Sequence, residues 1–130
     1  MICKSHEPFK YVNSDYQTYG MRWWDTATIP DVMKVGSGYY LKAFNLKRPA
    51  EFWLQGDSSN SLTNTNGYKQ AHVISPKKST TGMVHLRHGG RANLNFIDGH
   101  VETLALNWFK RNPDFDYCQL QTGTHVWVGL

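Results

Sequence analysis

The run from His88 to Glu102, HGGRANLNFIDGHVE, restricts the fold of this chain more than any other stretch. Asp98-Gly99 lies between two alternating segments, the strongest short-range signal for a β-hairpin. A two-residue turn at that dipeptide pairs Ile97 with His100, Phe96 with Val101, Asn95 with Glu102 and Leu94 with Thr103. Side chains alternate faces along a strand, so Ala92, Leu94 and Phe96 are expected to share a core-facing surface with Val101, Thr103 and Ala105. Asn93, Asn95, His100 and Glu102 are expected on the opposite face. Turn and pattern agree on this register, and a slip of one residue would turn one whole strand over.

The rest of the chain reads as a single domain over residues 1–130. It has five Trp, seven Tyr and six Phe, frequent Gly and Asn, and no long helical periodicity, which points to a β-rich fold with substantial loops. Strands are expected over residues 19–24, with Met21 and Trp23 on one side, and over 51–55, 71–74, 83–87 and 126–128. Thr28 to Lys34 reads as a short helical turn, with Thr28 as cap and Pro30 in the first turn. Residues 39–46 fit helix or extended chain equally. Residues 57–68 and 76–82 read as loops, rich in Ser, Asn, Thr, Gly and Pro. Leu106 to Asn112 predicts a short helix ended by Pro113. The fold class is therefore α+β: a twisted antiparallel sheet of about four to six strands with short helices and long loops.

The net charge of +4 suits solubility. Lys77-Lys78 and Arg87/Arg91 are too short and scattered to make a nucleic-acid track. Cys3 and Cys118 lie near opposite ends, and a disulfide between them or two unpaired, partly buried thiols are both open readings.

Chemistry-bearing residues are present without a chemistry-bearing pattern. His85, His88, Asp98 and His100 are close in sequence and are of metal-ligating type. On a strand, however, His85 and His88 face opposite ways, and no His or Cys pair has a zinc spacing. The structural reading has His88 bonded to a backbone or Asn group, Asp98 capping its own turn and Gly99 supplying positive φ. No Gly-x-Ser-x-Gly, P-loop or Gly-x-Gly-x-x-Gly occurs, so the chain is read as non-enzymatic, with no cofactor. Trp23-Trp24 and Tyr39-Tyr40 are adjacent pairs, so a strand would turn one ring of each outward, where it could stack on a ligand.

His88, nine intervening residues and Asp98-Gly99 resemble the H-x9-DG motif of prepilin-type, type II secretion pseudopilin-like proteins. Arg87-His88-Gly89-Gly90, Ala92-Asn93-Leu94-Asn95-Phe96 and Asp98-Gly99-His100-Val101-Glu102 are similar to that family throughout. Upstream, Ile2-Cys3-Lys4-Ser5 resembles its Cys-Pro-Ser segment, with Lys4 for proline. Tyr19-Gly20-Met21 resembles its Ser-Tyr-Gly-Met-Asn stretch, with Arg22 for Asn. Leu46 to Glu51, leading to Asp57, resembles its Arg-Pro-Ser-Glu segment and the acidic residue that follows.

The resemblance implies a pilin-like head lacking the family's N-terminal helix, since no apolar run here nears the roughly 20 residues of a membrane span. It implies the cell envelope or exterior, other pseudopilin or secretion-system subunits as partners, and no membrane contact by this segment itself. No targeting segment is expected in the chain. His88, Asn93, Phe96, Asp98, Gly99, His100 and Val101 are then structural motif residues. Some major pseudopilins hold calcium in a C-terminal loop. Asp114 and Asp116 are the carboxylates here best spaced for it, without a calcium-loop motif, and no metal is assigned. The rival function is a carbohydrate- or surface-binding module, with polysaccharide stacked on the exposed aromatics. A metal-dependent hydrolase would require His85, His88 and His100 in one pocket.

Overall fold

The computed structural model describes residues 19–22, 32–36, 38–59, 71, 73–75, 82–120 and 126–129. Strands dominate, and among the described residues they form three sheets. The first runs in the order β6 (Val73–Ile74), β1 (Gly20–Arg22), β4 (Trp53–Gly56), β8 (Arg91–Phe96) and β9 (Val101–Ala105). The second runs β11 (Val126–Gly129), β10 (Tyr117–Leu120), β7 (Met83–Leu86) and β5 (Ser58–Ser59). The third is a ribbon of β2 (Val32–Val35) and β3 (Gly38–Leu41). Two short 3-10 turns (Ala43–Asn45 and Pro49–Glu51) and one helix, α1 (Leu106–Arg111), complete the described fold.

The α+β class is as expected, but the sheets are not purely antiparallel. β1 runs parallel to β6, and β7 runs parallel to β10. Val32–Val35 is a strand, not the end of a helical turn: Val32 pairs with Leu41 and Met33 with Tyr40, and Gly36 at φ 61 closes the ribbon. β-branched Val at both ends of this segment suits an extended backbone better than a helix. Ser58 and Ser59 also leave the expected loop. They pair with Val84 and Met83, and the Ser58 hydroxyl donates to the Ala71 carbonyl at 2.5 Å while accepting from the Ala71 N–H at 3.2 Å. Serine's local hydrogen bonding, usually a turn signal, is here spent on another segment.

The hairpin at Asp98-Gly99 forms one residue out of the expected register. Gly99, at φ 94, donates its N–H to the Phe96 carbonyl at 3.0 Å, and the Phe96 N–H donates to the His100 carbonyl at 2.9 Å. The loop is therefore three residues, Ile97-Asp98-Gly99, with glycine in the left-handed position that this longer turn requires. Asn95 pairs with Val101, Leu94 with Glu102, Asn93 with Thr103 and Ala92 with Leu104. Every side chain of β9 is turned over relative to the two-residue reading. Val101 is 65% exposed and Leu104 only 4%. The segment VETLA has apolar residues on both faces, and seating the larger Leu104 in the core decides between them.

The core lies on the inner face of the five-stranded sheet. Trp53, Leu94, Phe96 and Leu104 from that sheet meet Val84, Leu86 and Cys118 from the second, with Phe109 of α1 and Phe115 as a cover. Trp53 stacks on Phe115 at 5.0 Å between centroids, and Phe109 meets Phe115 edge-on at 5.1 Å. α1 ends where expected, at Asn112 before Pro113, with Lys110 and Arg111 favourably placed in its last turn.

Candidate functional site

The motif histidine sits at a corner between the two larger sheets. His88-Gly89-Gly90-Arg91 is a tight hairpin turn: His88 and Arg91 exchange backbone hydrogen bonds at 3.0 and 3.2 Å. Gly89 and Gly90 have φ of 61 and 79, the paired positive values of a two-residue turn whose twist matches its strands. That turn swings the chain from β7 in one sheet to β8 in the other.

Asp57 makes the same crossing on the neighbouring strand. Its N–H donates to the Asn93 carbonyl of β8, and its carbonyl accepts from the His85 N–H of β7, both at 3.0 Å. The buried Asp57 carboxylate then ties both crossings together. Oδ2 accepts from the Asn93 N–H at 2.7 Å and lies 3.2 Å from His88 Nε2. Oδ1 lies 3.7 Å from Arg87 Nε. The Arg87 guanidinium, also buried, donates to the Ser58 carbonyl. His88 alone reaches the surface, its side chain 28% exposed. The arrangement is thus a buried carboxylate held by one guanidinium, one imidazole and a backbone N–H. Its chemistry is charge compensation, which a buried carboxylate requires. Ser58, the hydroxyl nearest in sequence, is committed to Ala71.

A second buried cation holds the other side of the sheet. Arg22 is 5% exposed, lies over the rings of Phe52 and Trp53 at 4.8 and 4.7 Å, and donates to Asp114 at 2.9 Å. Burial pushes the Arg22 guanidinium down from its ordinary pKa, and Asp114 opposes that shift. Asp114 also helps line a groove of about 530 Å³ with Glu51, Glu102, Trp108 and Arg111. In β1 it is Arg22 that faces inward; Met21, its neighbour, is 54% exposed.

The other expected site residues divide as follows. The His88 imidazole meets the Asp57 carboxylate. Asp98 does hold its own turn: its Oδ1 accepts from the His100 N–H at 3.2 Å and lies 2.6 Å from His100 Nδ1. That imidazole bond holds the Asp98 carboxyl below its ordinary pKa. The His100 ring lies flat on Phe96 at 4.3 Å. Asn93 Oδ1 accepts from the Thr103 hydroxyl at 2.6 Å across the strands.

His85 is fully buried on β7, His88 stands at the near end of β8 and His100 beyond its far end, so the three do not converge. Among the described residues no cluster of three or more His, Cys, Asp or Glu is placed to hold a metal ion. Asp114 is engaged by Arg22, and Asp116 is half-buried with other partners. Tyr40 is exposed, whereas Trp23, Trp24 and the Tyr39 side chain lie outside the described residues. Cys118 is buried in the core, and Cys3 lies outside the described residues.

Val73, Met21, Gln55, Asn95 and Val101 form a cross-strand row over the outer face of all five strands. A hollow of about 260 Å³ on that face is lined by Tyr19, Gln55, Asn93, Asn95 and Val101. Within it the Asn95 side-chain oxygen is buried with no hydrogen-bond partner. No protein-family model matches the chain, and neither does any curated protein or solved structure.

Proposed function

We propose that this chain is a non-enzymatic interaction domain, the head of a type II secretion pseudopilin or related filament subunit of the cell envelope. The observation that carries the reading is the exposure of apolar side chains among the described residues on the outer face of the five-stranded sheet. Met21 and Val101 are 54% and 65% exposed on that face, and the hollow beside Val101 also presents the side-chain amides of Gln55, Asn93 and Asn95. A helix laid across that row would bury both apolar side chains and offer polar partners to the amides. The H-x9-DG residues support the reading in a second way. His88 and Asp98-Gly99 stand at the two turns of one strand, β8, and the histidine is tied to Asp57, the acidic residue singled out by the same resemblance. On this reading the motif shapes the face and performs no chemistry.

The test is site-directed photocross-linking in a bacterium that assembles a type II secretion pseudopilus. A photoreactive phenylalanine analogue at Val101 or Met21 is expected to give adducts with pseudopilin subunits, and the same analogue at the exposed Lys110 of α1 is not. No adducts from the outer face, or adducts with proteins other than filament subunits, would overturn the proposal.

A further inference from the structure

The net charge of this protein is confined to one segment. Between Asp31 and Glu51 there is no acidic residue, while Lys34, Lys42, Lys47 and Arg48 all fall there. The rest of the chain carries ten Lys or Arg against ten Asp or Glu, so the whole +4 belongs to residues 32–50. This segment forms the β2–β3 ribbon, a sheet of its own, and the 3-10 turn that follows it. Three of its large apolar side chains are exposed. Phe44 is fully exposed, and Val35 and Tyr40 are more than half exposed. Lys42, Lys47 and Arg48 are exposed in the same segment. Among the described side chains of the segment, Arg48 is paired to an acidic neighbour, Glu51 at 2.9 Å.

We propose that this promontory docks on an anionic lipid surface, with Phe44 entering the headgroup boundary and Lys42 and Lys47 resting on acidic headgroups. Three features favour a bilayer over an acidic protein. Phe44 is the fully exposed ring among these side chains, and one ring is far less than a protein interface buries. Lysine, a flexible point charge, suits mobile phosphates, while the fork suited to a fixed carboxylate is the arginine already paired to Glu51. An aromatic beside cations is also the composition of an interfacial anchor. Among the described residues no helix is long and apolar enough to cross a membrane, and surface docking requires none. This goes beyond the filament reading, which rests on a different observation, the exposure of Met21 and Val101 on the five-stranded sheet.

The experiment is flotation of the purified chain with vesicles of phosphatidylcholine alone or with about one-third phosphatidylglycerol, at low and high salt. Binding is expected only to the anionic vesicles and is expected to weaken with salt. Lys42→Ala and Lys47→Ala should each weaken it about fivefold, the effect of roughly one surface cation. Phe44→Ala should weaken it further, and Phe44→Trp should restore it. Circular dichroism checks that each exposed substitution leaves the fold intact. Equal binding to neutral and anionic vesicles, or no binding to either, overturns the proposal. So does salt-sensitive binding that ignores Phe44, which would assign the patch to an acidic macromolecule.

Discussion

Asp57→Asn tests whether the buried carboxylate is what holds the two sheets at their corner. The substitution is nearly isosteric, and the amide oxygen can still accept from the Asn93 N–H that now sits 2.7 Å from Oδ2. What disappears is the charge facing Arg87 and His88. The Arg87 side chain is 1% exposed, so water cannot compensate it, and removing one partner of such a pair costs about 3–5 kcal/mol. Arg87 keeps its bond to the Ser58 carbonyl, which places the expected loss near the lower end, about 3 kcal/mol. For a chain of this size that is roughly a 10 °C fall in Tm. His88→Gln should cost only about 1 kcal/mol, because the half-buried imidazole leaves its partner with Arg87 and a backbone donor. Urea unfolding followed by circular dichroism gives both numbers, provided the denaturant slope is unchanged. A cycle with Arg87→Met should show coupling of about 1–3 kcal/mol between positions 57 and 87. A loss below about 1 kcal/mol for Asp57→Asn, or additive single effects in the cycle, would refute the argument.

The three-residue hairpin makes an asymmetric prediction: Leu104→Ala should cost about 2–5 kcal/mol, whereas Val101→Ala should cost less than 1. The two-residue register demands the reverse order, and thermal unfolding of the pair distinguishes them. Burial pushes the Cys118 thiol up to about 12, so it should resist a colorimetric disulfide reagent at pH 8 in the native protein and react once denatured. Lack of reaction even in denaturant without reductant would mean the residue is in a disulfide. A folded pKa raised above the unfolded one gives stability that is constant below about pH 9 and declines as pH rises toward 12.

The hairpin shows how much the sequence displays and where it stops. The two strands, the connecting Asp98-Gly99 and the inward faces of Ala92, Leu94 and Phe96 were all legible, because β8 alternates without exception: exposed Arg91, then buried Ala92, Leu94 and Phe96 between half-buried Asn93 and Asn95. The register was not, because Asp-Gly serves two-residue and three-residue turns alike. β9 could have settled it only by weighing Leu104 against Val101, a packing comparison between residues on opposite faces. Which side of β1 faces the core was not legible either. Periodicity places the larger apolar side chain inward. The structure instead buries the arginine, where two rings and the Asp114 carboxylate receive it. Those partners lie up to 92 residues away in sequence, beyond any local pattern.

The corner site carried one usable signal. Asp57 is the only acidic residue between Glu51 and Asp98, a stretch that also holds Lys69, Lys77, Lys78, Arg87 and Arg91. A lone carboxylate directly after an apolar strand, in a region rich in cations, is a reasonable candidate for a buried partner. What the spacing could not say is which cation reaches it. Arg87 and His88 are adjacent and would face opposite ways on a regular strand, so a shared partner looks excluded. The chain escapes that rule because β7 ends at Leu86 and both residues belong to the bend. The paired positive φ of Gly89 and Gly90 lets the turn close immediately, bringing imidazole and guanidinium to one carboxylate from two directions. Gly89 and Gly90 are therefore what assembles the site. It follows that Gly89 and Gly90 belong with His88 and Asp57 as one structural unit.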